Sequence, residues 1–283
     1  MTRWDRDLLT AGQAELVRGW LLEPELVDDL SWGIVDSTVL HVRARGADLI
    51  VKAGGPGNHH LGREIDAHEG ATSLLIDRGL AAPLRHADRD ARVIVLDHLP
   101  GVLAAGSAFE FDPDIHRQAG AALALFHAGA GRLDPDYERR VTDRTLAWLD
   151  GPHRIERAVE NAVRRLLAES HGGAVRVVPT HGDWQPRNWL VDRGGLRVID
   201  FGRFAYRPAS TDLCRLAAQQ WRDRADLADA FAEGYGSDPR EDLLWPIEQL
   251  REAVGTAAYA FQIGDLDFEA QGHRMLREAL RSI

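Results

Sequence analysis

The stretch that most constrains the fold of this chain covers residues 180–191, THGDWQPRNWLV, and residues 198–202, VIDFG. Two apolar-rich runs flank the segment Asp192-Arg193-Gly194-Gly195, whose composition is typical of a tight turn. The pattern predicts a β-hairpin around that turn. Such a hairpin would place Asn188 opposite Asp200, because facing residues of paired strands lie close together.

Three polar groups therefore occur in a fixed order: the carboxylate of Asp183, the amide of Asn188 five residues later, and the carboxylate of Asp200 twelve residues after that. Phosphoryl transfer uses such a set, with one carboxylate at the incoming hydroxyl and an amide and a second carboxylate on Mg²⁺. The order of these groups predicts a site for this chemistry.

Length and composition narrow the class of protein. The 283 residues are enough for one large domain or two lobes, and a net charge of −10 argues against nucleic acid or an anionic membrane as partner. No apolar run approaches the ~20 residues of a membrane helix, and the N-terminus has no secretory h-region. The single cysteine, Cys214, fits a reducing compartment. These features predict a cytoplasmic protein, expected as a monomer or weak dimer.

One position stands out among the basic residues. Lys52 is the only lysine among the 34 lysines and arginines of the chain. Lysine and arginine are not interchangeable where a compact ammonium must sit in a tight phosphate site. The use of lysine at this one position suggests that Lys52 contacts phosphate.

The order of predicted elements indicates an α+β fold. Residues 1–30 are interpreted as one or two short helices, and a β-hairpin is predicted around Arg45-Gly46-Ala47. A helix is predicted from Leu61 to Arg78. After residue 100 the patterns are mostly helical apart from the central hairpin. We therefore expect a nucleotide-binding lobe in residues 1–100 and a helical catalytic and substrate-binding lobe in residues 101–283, with a cleft between them.

The motifs HGDWQPRN and IDFG resemble the signature of the aminoglycoside phosphotransferase and choline kinase family, a group related to protein kinases. The resemblance implies a bilobal protein-kinase-like fold with a small β-rich N-lobe and a larger helical C-lobe. It implies that Asp183 is the catalytic carboxylate, and that Asn188 and Asp200 hold Mg²⁺. ATP is the implied phosphate donor, with GTP open as an alternative.

The resemblance also assigns the upstream half of the site. Lys52 would contact the nucleotide phosphates, with Glu64 as its ion-pair partner because Arg63-Glu64 matches the usual opening of this helix. Glu69 is the alternative partner.

Two further segments would hold the nucleotide. The turn from Ser31 to Thr38 has only Gly33 of a full glycine-rich pattern, so its backbone and the hydroxyls of Ser37 and Thr38 are expected to meet phosphate. The hinge from Asp97 to Leu99 would bind adenine through backbone groups.

Only nine residues separate Gly202 from Asp212, too few for the activation segment of a protein kinase. A small-molecule acceptor is therefore expected. Asp212 is interpreted as capping a helix and bracing the catalytic loop. Relatives commonly carry His-Pro-Gly or His-Pro-Ala where this chain has Gln185-Pro186-Arg187. The extra cation could meet substrate or phosphate charge or point to solvent, which puts the detailed substrate class in doubt but not the reaction.

The C-terminal helices suggest the charge of that acceptor. Residues 225–270 contain eleven acidic residues and, as cations, only Arg240 and Arg251. This excess favours a cationic hydroxylated substrate, such as an aminoglycoside or another amino-bearing antibiotic. Solvated helix faces would give the same count. A metabolic kinase of an amino sugar, a choline-like alcohol or a homoserine-like compound, and a non-catalytic pseudokinase, remain alternatives.

Overall fold

The computed structural model describes residues 4–32, 36–169, 173–241 and 243–283, so Gly33 of the predicted nucleotide turn lies outside the described residues. The α-helices are α1 (Ala11–Trp20), α2 (His60–Asp66), α3 (Ser73–Ile76), α4 (Pro113–His127), α5 (Tyr137–Asp150), α6 (Arg157–Glu169), α7 (Cys214–Ala218), α8 (Ala225–Tyr235), α9 (Trp245–Ile263) and α10 (Leu266–Ser282). The strands are β1 (Glu25–Asp29), β2 (Ser37–Ala44), β3 (Ala47–Gly54), β4 (Leu84–Asp88), β5 (Val93–Asp97), β6 (Val102–Leu103), β7 (Arg132–Asp134), β8 (Val175–Thr180), β9 (Trp189–Asp192), β10 (Gly195–Val198) and β11 (Ala205–Arg207).

The N-terminal part is built on an antiparallel five-stranded sheet in the order β1-β2-β3-β5-β4. Strands β2 and β3 form the predicted hairpin, closed by Arg45 and Gly46 with φ of 49° and 81°. Positive φ at both central residues gives a turn whose backbone twist matches the right-handed twist of the two strands. The mixed α+β architecture predicted from the sequence is confirmed.

Alternation along β2 and β3 gives the sheet two different faces. One face carries Leu40, Val42 and Val51, which form a core with α1. The residues between them, including Ile50 and Lys52, belong to the other face, because successive side chains of a strand point to opposite sides. Lys52 is thus directed away from the α1 core.

Residues 1–30 differ from the prediction of helices alone. Helix α1 begins with a capping box, in which Thr10 accepts from the N–H of Gln13 and the Gln13 side chain accepts from Thr10 N. The acidic segment that follows is strand β1, which pairs with β2 at the sheet edge. Pairing with β2, rather than any alternation of its own, makes this polar segment a strand.

The helix predicted from Leu61 to Arg78 is interrupted. Helix α2 passes into a π-helical turn at Ala67–Ala71, and α3 follows after a break at Gly70, whose φ and ψ are 170° and −39°. This extended φ interrupts the helical backbone. The prediction of one continuous helix was wrong beyond Asp66.

The C-terminal part contains the largest core, in which Trp184, Trp189 and Phe201 are almost fully buried against α4 and α8. Leu75 and Ala81, which precede residue 100, also belong to this core. The segment after α2 therefore packs with the helical part of the chain, and the division into lobes at residue 100 remains a prediction. Within the described ranges, no helix is both long and apolar enough to cross a membrane.

Helices α4 and α8 touch backbone to backbone. A Cβ atom on Gly120 would overlap the carbonyl oxygen of Phe231, and one on Gly234 would overlap that of Arg117. No side chain fits in either place. The two glycines fix the separation of this helix pair.

The central hairpin forms as β9 and β10, with β6 beside β9. Arg193 and Gly194, with φ of 51° and 79°, close it as a two-residue loop. Val198 faces Trp189, and the N–H of Ile199 donates to the carbonyl of Asn188 at 3.0 Å. Asn188 therefore lies opposite Ile199, and the predicted pairing with Asp200 was wrong by one residue.

Candidate active site

An ion-paired lysine lies between the N-terminal sheet and the central hairpin, where the sequence predicts the cleft. Nζ of Lys52 donates to both carboxylate oxygens of Glu64, at 2.8 and 3.0 Å, and to Oδ1 of Asp200 at 3.4 Å. The rival partner Glu69 instead contacts Arg89 at 3.3 Å. The structure thus brings Lys52, Glu64 and Asp200 together from β3, α2 and the segment after β10.

Neighbouring charges determine the protonation states of Lys52 and Asp200. Burial lowers the pKa of Lys52, but the carboxylates of Glu64 and Asp200 outweigh it, so the pKa lies above its ordinary value. The charge of Lys52 in turn holds the pKa of Asp200 below its ordinary range. Lys52 is therefore an ammonium and Asp200 a carboxylate, whose side chain is 54% exposed where it borders the cleft.

Asp212 holds the start of the loop that follows β8. Its two oxygens accept the backbone N–H groups of His181, at 2.8 Å, and Gly182, at 2.5 Å. Gly182 has φ of 78°, and a Cβ there would lie 2.5 Å from the carbonyl oxygen of Arg203. Only glycine fits this position. Asp212 braces the loop as predicted, but its side chain caps no helix.

A buried chain of hydrogen bonds extends from Asp212 into the core. His127, at the end of α4, contacts Oδ2 of Asp212 through Nε2 at 3.1 Å and the hydroxyl of Tyr235 through Nδ1 at 2.9 Å. Burial alone would raise the pKa of Asp212. The hydrogen bond and charge of His127, together with the charge of His181 and the Gly182 N–H, outweigh burial, so the pKa lies below its ordinary value and the carboxyl is ionised. The loop is thus anchored to the α4 and α8 pair.

Asp212→Asn is expected to destabilise the protein by about 2–3 kcal/mol, because an amide replaces a fully buried carboxylate that receives three charge-assisted hydrogen bonds. Urea unfolding measures the loss. Asp265→Asn, at the exposed start of α10, serves as the control and should cost less than ~1 kcal/mol, since asparagine caps helices as well as aspartate does. Equal losses in the two variants would contradict the bracing role.

Both carboxylate oxygens of Asp183 are occupied. Oδ1 accepts from Nε2 of Gln185 at 2.5 Å and from Arg215, and Oδ2 accepts from Arg187 at 2.6 Å and Asn188 at 2.9 Å. Burial raises the pKa of this carboxyl, but the charges of Arg215 and Arg187 hold it well below its ordinary range. Asp183 is an ionised hydrogen-bond acceptor at any physiological pH.

The orientation of Asn188 suits a metal ion. Its Nδ2 donates to the carbonyl and to Oδ2 of Asp183, at 2.8 and 2.9 Å, so that Oδ1 points away from Asp183. Together with the cleft-facing carboxylate of Asp200, this leaves two oxygen ligands, the number that Mg²⁺ commonly takes from a protein that binds it with substrate phosphates. Among the described residues there is no cluster of three or more His, Cys, Asp or Glu that would form an all-protein site.

The two hydroxyls predicted to meet phosphate lie on opposite faces of the sheet. Ser37 pairs with Gly54 and shares the face of Lys52, where its hydroxyl accepts from Nδ2 of Asn58 at 2.7 Å. Thr38 pairs with Ala53 on the α1 face and donates to the carbonyl of Leu8 at 3.4 Å. The assignment of the Thr38 side chain was wrong, because strand parity directs it away from the cleft.

The predicted hinge presents backbone groups rather than side chains. The carboxylate of Asp97 is paired with Arg85 at 2.6 and 2.7 Å. The N–H of Asp97 donates to the carbonyl of Pro83 at 3.1 Å, and proline has no N–H to return a bond to the Asp97 carbonyl. Leu99 packs on the same face of the sheet as Ile50. The carbonyl oxygen of Asp97 is thus left as a hydrogen-bond acceptor near the apolar side chains of Leu99 and Ile50.

Most of the acidic residues that suggested a cationic acceptor are engaged by cations. Arginines pair with Asp226, Glu233, Asp238, Glu248, Glu252 and Glu269. Several of these arginines lie outside residues 225–270, so the count within that segment omitted them. The excess of acidic residues therefore gives no support for a cationic ligand.

The arginines around Asp183 were missed by sequence reasoning. Arg215 lies 32 residues along the chain from Asp183 and also donates to Glu252 at 2.8 Å. Arg187 was noted only as a departure from the family pattern. Its position four residues after Asp183 was the available signal, because this spacing allows contact across one turn.

The sequence of this chain is similar to that of a known protein family. A model of the phosphotransferase enzyme family, APH, matches residues 30–245. No curated protein sequence matches the chain.

Solved structures of similar fold include choline kinase LicA from Streptococcus pneumoniae (TM-score 0.64, 17% identity, 96% of this chain and 100% of that one). A thermostable variant of aminoglycoside phosphotransferase APH(4)-Ia with ADP and hygromycin B gives a TM-score of 0.69 at 16% identity, covering 96% and 99%. Macrolide 2'-phosphotransferase MphH from Brachybacterium faecium gives 0.62 at 20%, covering 95% and 98%. At these identities the likeness is one of fold. Because the family model covers more than half of its length, the chain belongs to the phosphotransferase enzyme family.

Proposed function

We propose that this protein is an ATP- and Mg²⁺-dependent O-phosphotransferase that acts on a hydroxyl group of a small molecule. One observation carries the proposal: the ammonium of Lys52 bridges Glu64 and Asp200 in the cleft that also contains the Asp183–Asn188 pair. A positive charge for phosphates, two oxygen ligands for a metal ion and a carboxylate for an incoming hydroxyl are the parts this reaction requires.

The nucleotide would lie along the cleft-facing side of the sheet. The carbonyl of Asp97 offers an acceptor for an adenine amino group, and Ile50 and Leu99 offer apolar contacts to the ring. Lys52 would then reach the phosphates from β3. Three of the structures of similar fold were solved with ADP or AMP-PNP, which supports nucleotide binding by this chain. A preference for GTP would require different contacts to the base, whereas the contact of Lys52 with the phosphates would be the same.

Asn188 Oδ1 and the Asp200 carboxylate would hold Mg²⁺ together with phosphate oxygens, and the ion would neutralise phosphate charge when bound. Asp183 would accept a hydrogen bond from the acceptor hydroxyl and align it for in-line attack. The acceptor oxygen forms a bond to the γ-phosphorus as the bond from that phosphorus to the β–γ bridging oxygen breaks, and ADP leaves. With its lowered pKa, Asp183 is a weak base, so orientation is its main contribution, and it accepts the hydroxyl proton late in the transfer, when bonding to phosphorus has made that proton acidic.

Two classes of acceptor fit this reaction. An aminoglycoside or another amino-bearing antibiotic was favoured by the sequence, and similar folds include enzymes named for aminoglycosides and macrolides. A metabolic acceptor (an amino sugar, a choline-like alcohol or a homoserine-like compound) is the alternative. The ion pairs of the acidic residues weaken the argument for a cationic acceptor in either class. Among the metabolic compounds, the homoserine-like one carries a carboxylate that the arginines beside Asp183 could bind.

The proposal is tested by incubating the protein with ATP, Mg²⁺ and a panel of hydroxylated amines, acids and neutral polyols, followed by mass spectrometry. We expect a gain of one phosphate on at least one compound, with stoichiometric ADP. The control omits Mg²⁺ and should show none. Nucleotide binding with no phosphate transfer, across the panel and to water, would instead indicate a non-catalytic pseudokinase.

A further inference from the structure

Three arginines, Arg187, Arg203 and Arg215, act on the charge of Asp183, and a fourth, Arg207, lies beside the adjacent Gly182. They come from the loop after β8, from the segment around β11 and from α7. The arginines place a cluster of guanidinium groups beside the carboxylate that would receive the acceptor hydroxyl.

Two of these arginines have structural partners. Arg215 lies between Asp183 and Glu252 and is only 18% exposed. Arg207 donates to the hydroxyl of Thr180 at 3.2 Å and to the carbonyl of Arg203 at 2.9 Å. Both side chains are held in place by the protein, so neither needs a ligand to satisfy it.

Arg203 differs from them. Its guanidinium makes no hydrogen bond or ion pair with any residue in the described ranges, although the side chain is partly buried. Its backbone packs on Gly182, where an added Cβ would lie 3.0 Å from the Cβ of Arg203, so its side chain starts next to Asp183. Burial and then the charge of Arg215 lower its pKa, and the nearby carboxylates of Asp183 and Glu252 offset this only in part. A partly buried guanidinium without a hydrogen-bonded partner is stabilised when an oxyanion binds it.

Arg187 is the most accessible partner of Asp183. Its side chain is 41% exposed, compared with 18% for Arg215. Because four groups already donate to the two oxygens of Asp183, an acceptor hydroxyl can bind only if one of them withdraws. Arg187 is the donor best able to withdraw, since its side chain is the most exposed of the four and is already close to solvent.

We propose that the acceptor carries an oxyanion, a carboxylate or phosphate, that binds the guanidinium groups of Arg203 and Arg187. Arg187 then exchanges Oδ2 of Asp183 for this oxyanion, and the vacated oxygen receives the hydroxyl to be phosphorylated. Planar guanidinium groups bind carboxylate and phosphate through paired hydrogen bonds, which fixes the orientation of such an acceptor. The inference rests on the proposed phosphotransferase function and names the charge of its substrate.

The nucleotide is a less suitable occupant of this place. Lys52 and Asp200 mark the phosphate position on the sheet side of the cleft, at 3.4 Å from each other. Arg203 lies in the segment between Asp200 and β11, and its neighbours Arg207 and Arg215 belong to β11 and α7. A change in nucleotide affinity without a change for the acceptor would reverse this assignment.

A binding experiment tests the inference without requiring turnover. The protein is saturated with Mg²⁺ and AMP-PNP, and its melting temperature is followed during titration with D-gluconate, glycerol 3-phosphate, sorbitol and D-glucamine. We expect the two anions to raise Tm in a saturable manner, whereas sorbitol and D-glucamine leave it unchanged. In Arg203→Gln the anion effect should be lost, and in Arg277→Gln, an exposed position on α10, it should persist.

Several outcomes would overturn the proposal. These are no rise with either anion in the wild type, the same rise in Arg203→Gln, or a larger rise with D-glucamine than with D-gluconate, which have the same carbon chain. The phosphate-transfer panel distinguishes failure of the oxyanion proposal from failure of the proposed phosphotransferase function. Phosphorylation of amines in preference to acids would contradict the oxyanion alone, while absence of any transfer would contradict the phosphotransferase.

For an anionic acceptor found in that panel, Arg203→Gln should raise KM at least about tenfold with kcat changed less than about threefold, the pattern of a lost binding contact. Arg187→Gln should also raise KM for the anionic acceptor, because Arg187 supplies the second guanidinium of the proposed site. A fall in kcat alone for Arg203→Gln, with KM unchanged, would assign it a structural role and contradict the proposal.

Discussion

Asp183→Asn is expected to lower kcat by at least about 10²-fold, while Mg·ATP binds with nearly unchanged affinity. The substitution removes the charge that draws the acceptor hydroxyl and leaves the side chain its shape. Lys52 and Asp200, which would hold the nucleotide and metal ion, keep their contacts with each other. Steady-state kinetics and a nucleotide titration measure the two effects separately.

The control for this variant is Asp192→Asn, which removes a carboxylate paired with Arg197 at the turn end of the same hairpin. It should keep wild-type turnover. Because the Asp183→Asn substitution leaves Arg187 and Arg215 without their carboxylate, the melting temperature of each variant should be measured first. An Asp183→Asn protein that is folded and turns over at the wild-type rate would disprove the role assigned to Asp183.

The second large effect is expected for Lys52→Arg, which keeps the charge but should lower kcat/KM about 10²–10³-fold, the cost of removing one well-placed electrostatic contact to the reacting group. Nζ of Lys52 lies within 3.4 Å of Glu64 and Asp200, and the side chain is only 14% exposed. A planar guanidinium on a longer stem cannot occupy this place without displacing Asp200.

The matched control is the reverse exchange at an exposed pair: Arg43→Lys, where Arg43 contacts Asp48 and is 51% exposed. It should leave kcat/KM unchanged, since exposed ion pairs contribute little. The apparent affinity for Mg·ATP should fall in Lys52→Arg but not in Arg43→Lys. Near-wild-type activity of Lys52→Arg would mean that any cation suffices at this position.

The central hairpin was predictable because its signals are local. Two apolar runs meet at Arg193-Gly194, and positive φ at both residues gives the tight turn that the sequence indicates. The register was not predictable to one residue, because the glycine-rich turn permits several closures. Asn188 consequently faces Ile199 and not Asp200. The pairing of Lys52 with Glu64 followed from the family resemblance and is present in the structure.

Other features depend on contacts that are distant in sequence. No local pattern places Arg215 on Asp183, and a count of acidic residues within one segment cannot include arginines supplied from elsewhere. The face of Thr38 follows from strand parity once Lys52 is known to border the cleft, so this error was avoidable. The break at Gly70 was not, since an isolated glycine is tolerated in many helices.

The glycine contact between α4 and α8 has a consequence for how this enzyme can change. Gly120 and Gly234 set the distance between the helices that carry His127 and Tyr235, and these two side chains hold Asp212 beneath the catalytic loop. This support of the loop does not include the guanidinium of Arg203, which makes no hydrogen bond or ion pair within the described ranges. Selection could therefore alter Arg203, and with it the acceptor of the proposed site, without changing the helix pair that holds the loop in place.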